Sequence, residues 1–127
     1  MPHVAFKRLT AFRESLEPDS AQSLLYRLVS WLIRLISQSE GPLVVRKICS
    51  TLVVFFLRFP SSWELCVRHL LCSLYKGDAV PLTSIDQYPA TPALVRALNK
   101  SQAVAALWFI STLVEDVGKT DSNNIRQ

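Results

Sequence analysis

The stretch that decides the fold is residues 19–38, DSAQSLLYRLVSWLIRLISQ. Its polar side chains recur at alternating steps of four and three, which places them on one narrow stripe of a helix. Nearly all other positions are apolar, whereas a surface helix usually carries one apolar stripe on a polar cylinder. The segment therefore predicts a helix that neighbouring helices cover around most of its circumference. The stripe consists of Ser23, Arg27, Ser30, Arg34 and Ser37.

A second helix is predicted over 42–59. Pro42 follows Gly41 as a favourable first-turn residue, and Pro60 ends the helical pattern. The β-branched content of this segment would also suit a strand. Its length favours a helix, as does one polar face at helical spacing, formed by Arg46, Lys47, Ser50 and Thr51.

The third helix is predicted over 61–75. Ser61 and Glu64 have the residue types and spacing of a capping box, and Gly77 suits a left-handed helix end. Residues 77–92 carry three prolines and predict a loop. A last helix is expected over 92–117, with a break around 99–101, and a disordered polar tail over 118–127.

These elements predict an all-α chain. Helices with short connections pack as antiparallel neighbours, and the pair 42–59 and 61–75 has the size of one HEAT or armadillo repeat. We expect an α-solenoid of about two such helix pairs over 19–117, after a partial first helix in 1–18. Half of the residues are hydrophobic, which fits helix pairs that leave apolar faces for further pairs to cover.

Composition argues against several functional classes. The net charge of +4 comes from 14 basic and 10 acidic residues spread along the chain, without the clustered basic face typical of nucleic-acid binding. No apolar run reaches the roughly 20 residues that a membrane span needs. Three cysteines within helical patterns, Cys49, Cys66 and Cys72, predict buried thiols in a reducing compartment.

No catalytic or cofactor-binding pattern stands out. Cys66, His69 and Cys72 are spaced by three on one helix, which suggests metal ligands but spreads them over about 120° of its surface. Buried thiols beside a packed or exposed histidine are the alternative that we favour. His69 is the best candidate for a general base, and no nucleophile motif accompanies it. We therefore expect no enzyme, no cofactor and no metal.

Four charged residues are the candidates for contact with a protein partner: Arg27, Arg34, Glu64 and Arg68. The first two lie on the polar stripe of residues 19–38, and the others belong to the helix predicted over 61–75. Solenoids bind partners on the surface formed by one helix of each pair. The alternative is that these side chains simply form the solvated side of packed helices.

Several segments resemble the N-terminal repeats of importin-β superfamily nuclear transport receptors, the importin-13/transportin-SR branch in particular. The resemblance rests on PLVVRKIC (42–49) with the following apolar helix, on PSSW (60–63), and on ALWF (106–109) to LVED (113–116). Residues 19–38 are similar to the inner helix of the preceding repeat. The similarity covers most of 19–117.

The resemblance implies a segment of a karyopherin that binds Ran-GTP and protein cargo in the cytoplasm and nucleus, with nucleoporins as further candidate partners. The helices over 19–38 and 61–75 would be inner ones, which makes Arg27, Arg34, Glu64 and Arg68 interface positions. The chain departs from the family in its shortness, its basic charge, Val114 in place of a proline and a poor match over 1–16. We therefore expect a fragment. The alternative is a solenoid scaffold or adaptor without Ran dependence.

Overall fold

The structure is a computed structural model that describes the backbone of residues 18–39 and 41–126 and the side chains of residues 20–39 and 41–118. These residues are all-helical and contain no strand, which confirms the predicted class. Two 3-10 helices, Pro60–Ser62 and Leu82–Gln87, supplement the α-helices. The α-helices are α1 (Pro18–Ser37), α2 (Pro42–Arg58), α3 (Cys66–Lys76), α4 (Thr91–Ala97) and α5 (Lys100–Arg126).

Helix α1 has nearly the bounds that its polar stripe predicts. Leu25, Val29 and Leu32 are fully buried, while Arg27 and Arg34 are exposed. Asp19, with Gln22 three residues later, has the pattern of a capping box. The side chain of Asp19 lies outside the described residues, so this cap stays a prediction. The partial first helix expected in 1–18 also lies outside them, except for Pro18 at the start of α1.

Helix α2 is the central element of the fold. It begins at Pro42, after Gly41 at the cap position, and ends at Arg58 before Pro60, as the two prolines predict. It packs against both α1 and α5. Its buried residues form one broad apolar face that these neighbours cover: Val45, Ile48, Cys49, Leu52, Val53 and Phe55.

The predicted capping box at Ser61 and Glu64 is wrong. Pro60–Ser62 form a 3-10 turn, and α3 begins only at Cys66, with Leu65 at the cap position and no side-chain cap. The reason is Trp63, whose backbone lies outside the helical region (φ −148°, ψ 56°) and whose side chain is fully buried. A cap contributes about 1 kcal/mol. Burying a tryptophan side chain contributes more, about 3 kcal/mol or above, so the core decides this turn.

The second half of the chain agrees with the remaining predictions in part. Gly77 ends α3 in the left-handed conformation (φ 91°), as expected. The predicted loop over 77–92 contains the short 3-10 helix, and the predicted break near 99–101 separates α4 from α5. Helix α5 continues past Val117 to Arg126, through a segment for which we predicted disorder.

The predicted pairing of 42–59 with 61–75 is wrong, because α2 makes its main contacts with α1 and α5 rather than with α3. Helix α3 contacts α1 and α5, and the short α4 packs against α3. The interface between α2 and α5 includes the Cys49 thiol, 3.5 Å from the Ala105 carbonyl oxygen, and the Arg46 guanidinium, 5.4 Å from the Trp108 ring centre. Among the described residues, no helix is both long and apolar enough to cross a membrane.

Candidate functional site

A buried group of polar atoms joins α3 to the loop that follows it. We call it the anchor cluster and define it as Trp63, His69, Ser73 and Val80. The indole Nε1 of Trp63 donates to Nδ1 of His69 over 3.0 Å, and Nε2 of His69 lies 2.7 Å from the Val80 carbonyl oxygen. Because an indole N–H can only donate, Nδ1 must accept, and the proton of the neutral ring is on Nε2. His69 therefore donates to Val80.

Ser73 provides the second hydrogen bond between α3 and Val80 within the anchor cluster. The backbone N–H of Val80 donates to the Ser73 hydroxyl oxygen over 3.2 Å. Val80, His69 and Ser73 are all buried. Both main-chain polar groups of Val80 thus have partners on α3, which removes the cost of burying them unpaired.

Aromatic rings surround the anchor cluster and connect it to the other helices. Trp63 lies 6.1 Å from Phe55 of α2 and 5.4 Å from Phe109 of α5, measured between ring centres. His69 lies 6.2 Å from Tyr26 of α1. The cluster therefore sits where the helices meet.

The geometry gives His69 a structural role. Burial lowers its pKa, and both ring nitrogens already have partners. No three potential ligands among the described residues come together as a metal site, and this includes Cys66, His69 and Cys72. Burial raises the pKa of the Cys66 and Cys72 thiols, and that of Cys49 to about 12, so these thiols stay protonated. The absence of enzymatic activity stays a prediction.

Arg68 holds the outer part of the same loop. One terminal nitrogen of its guanidinium lies 2.6 Å from the Pro89 carbonyl oxygen and 3.3 Å from the Thr91 hydroxyl. The other terminal nitrogen donates to the carbonyl oxygens of Ile85 and Tyr88, over 2.6 and 3.0 Å. The predicted partner contact of Arg68 is untested, and the structure uses its donors to hold residues 85–91 against α3.

The exposed side of α1 carries a different kind of site. A shallow groove of about 510 Å³ is lined by Tyr26, Arg27, Ser30, Trp31 and Arg34, and we call it the α1 groove. Trp31 is 51% exposed, and both arginines are exposed. A second depression, which shares Arg27 with the groove, continues toward the start of α1 along Ser20, Ser23 and Leu24.

Two hydrogen bonds fix the side of the α1 groove that faces the loop. The Tyr26 hydroxyl oxygen accepts from the Leu82 N–H over 3.0 Å, and the Ser30 hydroxyl donates to the Asp78 carboxylate over 3.0 Å. The same carboxylate oxygen accepts from the Ala79 N–H over 2.8 Å. The groove is thus supported by bonds between α1 and the loop.

The structure separates the four predicted partner residues. Arg27 and Arg34 line one groove. Glu64 is exposed in the turn before α3 and lines neither this groove nor the adjoining depression. Arg68 points into the loop. The four residues therefore do not form a single contact surface.

Sequence reasoning missed Trp31 and overlooked the anchor cluster. Trp31 belongs to the apolar positions that the pattern of 19–38 predicts to be covered, although it lies four residues after Arg27 and three before Arg34, on the same side of the helix. That spacing was the available signal. The anchor cluster offered none, because its main acceptor and donor belong to the backbone of Val80.

Comparisons of this chain with protein-family models, with curated proteins and with solved structures find no match.

Proposed function

We propose that this chain is a protein-binding segment of an α-solenoid, and that the α1 groove is its contact surface. The observation that carries the proposal is a half-exposed tryptophan between two exposed arginines on the solvent side of α1. Tryptophan and arginine are the residues that most often dominate binding energy at protein interfaces. A helix that served only the core would have no need of an indole on its solvent side.

The order of helix packing supports a solenoid. Apart from the short α4, contacts join α1 to α2 and α3 to α5, and further contacts join α1 to α3 and α2 to α5, as expected for two stacked helix pairs. Large apolar side chains remain exposed on α5, where Leu107 is 62% and Val114 is 65% exposed. A further helix pair would cover them.

The identity of the partner is proposed from the resemblance to the importin-β superfamily. On this basis the chain is a segment of a nuclear transport receptor that binds Ran-GTP and protein cargo between cytoplasm and nucleus. Helices α1 and α3 would then be inner helices, and the exposed arginines of α1 would face the partner. A scaffold or adaptor without Ran dependence would use the same groove, so the nucleotide distinguishes the two.

A pull-down with Ran loaded with GTP or GDP tests the proposal. We expect binding to the GTP form, and weaker binding when Arg27→Ala and Arg34→Ala are combined. The matched control combines Lys47→Ala with Lys100→Ala, which removes the same charge from exposed positions outside the α1 groove. Equal binding of both nucleotide forms, or no binding of either, would contradict the Ran proposal.

A further inference from the structure

The α1 groove has a charge and a spacing that define what fits it. Between Ser20 and Ser39 the chain has two arginines and no acidic residue. No hydrogen bond or ion pair joins the guanidinium group of Arg27 or Arg34 to another of the described residues, although the Arg34 backbone carbonyl accepts from Ser37. The nearby Asp78 carboxylate already accepts from Ser30 and from the backbone of Ala79. The groove therefore presents two guanidinium groups that pair with no described side chain, and the Asp78 carboxylate lies at its loop side.

The three exposed side chains lie in line along the helix. Arg27, Trp31 and Arg34 follow one another at steps of four and three, which keeps them on one face. The two arginines are seven residues apart, a rise of about 10.5 Å along the axis. A partner helix with two carboxylates seven residues apart repeats this distance on one of its own faces. An apolar residue between those carboxylates would lie opposite the indole.

We propose that the α1 groove binds an acidic helical segment of a partner protein, in which two carboxylates seven residues apart pair with Arg27 and Arg34 and an apolar side chain packs on Trp31. The inference rests on the proposed function and narrows its partner class. It follows from charge complementarity together with an aromatic anchor at the centre of the contact.

Each part of the contact has a separate role. Paired arginine and carboxylate groups at a solvent-exposed site add modest affinity but determine the register and the sign of the partner. Trp31 supplies apolar area regardless of the sign of the charges beside it. Reversal of charge should therefore change which partner binds, while loss of the indole should weaken every partner alike.

A peptide-binding titration tests the inference without Ran or nucleotide. The full chain is titrated with a synthetic helical peptide in which two glutamates seven positions apart flank a leucine, and with the same peptide carrying lysines instead. Fluorescence anisotropy of the labelled peptides reports binding. We expect the glutamate peptide to bind more tightly, by on the order of tenfold, with the advantage falling as salt rises.

A charge-swapped variant provides the decisive comparison. Arg27→Glu combined with Arg34→Glu should reverse the preference toward the lysine peptide. Lys47→Glu combined with Lys100→Glu alters the net charge equally outside the groove and should leave the preference unchanged. Trp31→Ala should weaken binding of the preferred peptide while retaining the preference for its charge. Circular dichroism verifies that each variant remains helical.

The outcomes separate this inference from the Ran proposal. Failure of the glutamate peptide to bind, or an equal effect of the groove and control variants, would overturn the inference whether or not Ran-GTP binds. Loss of Ran discrimination with retained peptide preference would contradict only the Ran proposal. Displacement of the peptide by a single-stranded oligonucleotide, with loss of the dependence on Trp31, would overturn the inference in favour of phosphate binding.

Discussion

Two tryptophans of this chain face opposite environments. Trp63 is fully buried at the meeting point of the helices, and its N–H donates to His69. Trp31 lies half exposed on α1, and its indole N–H bonds to none of the described residues. One indole therefore contributes to the stability of the fold, while the other presents apolar surface that the fold does not use.

Arginines repeat the same contrast. Arg68 donates to three backbone carbonyl oxygens and a hydroxyl of the loop, whereas Arg27 is exposed on the α1 groove. Residue type alone does not distinguish the two roles. The difference depends on whether backbone acceptors lie within reach. Loop carbonyl oxygens lie around Arg68, whereas the carbonyl oxygens within a helix already accept from the helix itself.

The largest expected effect concerns the two tryptophans. Trp63→Ala should lower the free energy of unfolding by about 3–5 kcal/mol, because it leaves a cavity in the core. The same substitution leaves Nδ1 of His69 without a donor. Trp31→Ala, the matched control, should change the free energy of unfolding by about 0.5 kcal/mol or less. Urea denaturation followed by circular dichroism measures both, and similar losses in the two variants would refute the division of roles.

A smaller effect is expected for the two arginines. Arg68→Ala removes the donors of the loop carbonyl groups and should cost about 2 kcal/mol. Arg27→Ala should leave stability nearly unchanged. Hydrogen exchange adds a local measurement, since the amides of Ser84 and Tyr88 are bonded within the loop and should exchange faster only in the Arg68 variant. Unchanged exchange there would show that the loop does not depend on Arg68.

The anchor cluster should also make stability depend on pH. Burial keeps His69 neutral in the folded chain, whereas the unfolded chain takes up a proton below about pH 6.5. The stabilisation is therefore complete above this pH and is lost as the pH falls, with a slope of at most about 1.4 kcal/mol per pH unit.

His69→Gln supplies the control for this titration. A glutamine side chain can accept from Trp63 and donate to Val80 but does not ionise. Chemical denaturation between pH 5 and 8 should show a weaker pH dependence in the variant, and any dependence from His3 persists in both proteins. Parallel curves for the two proteins would exclude His69 as the source.

Helix positions could be predicted from the sequence because they follow from local patterns. Pro42, Pro60 and Gly77 act on their own backbone, and the polar stripe of α1 reflects burial that repeats at the helical period. The start of α3 could not be predicted in this way. It depends on a cavity between α2 and α5 that accepts Trp63, and no local pattern describes such a cavity.

The candidate site was predictable only in its charges. The helical period correctly placed Arg27 and Arg34 on one exposed stripe, but it says nothing about acceptors from distant segments. Arg68 therefore looked equivalent to them, although residues 85–91 fold back onto it. The residue types of the loop do not indicate where its backbone carbonyl oxygens point. Only the tertiary structure therefore shows which arginine donates to them.

The smallest expected effect concerns two predicted or observed helix caps, one at Asn99 that forms and one at Ser61 that does not. At the start of α5, the Gln102 N–H donates to the Asn99 side-chain oxygen and the Asn99 N–H donates to the Gln102 side-chain oxygen, each over 2.9 Å. Asn99→Ala should therefore cost about 1 kcal/mol. Ser61→Ala should cost a few tenths at most, because Ser61 caps no helix. Thermal and urea denaturation of the two variants measure the difference. A cost at Ser61 equal to that at Asn99 would mean that α3 begins at the sequence-predicted box after all, and the argument that Trp63 determines this turn would then fail.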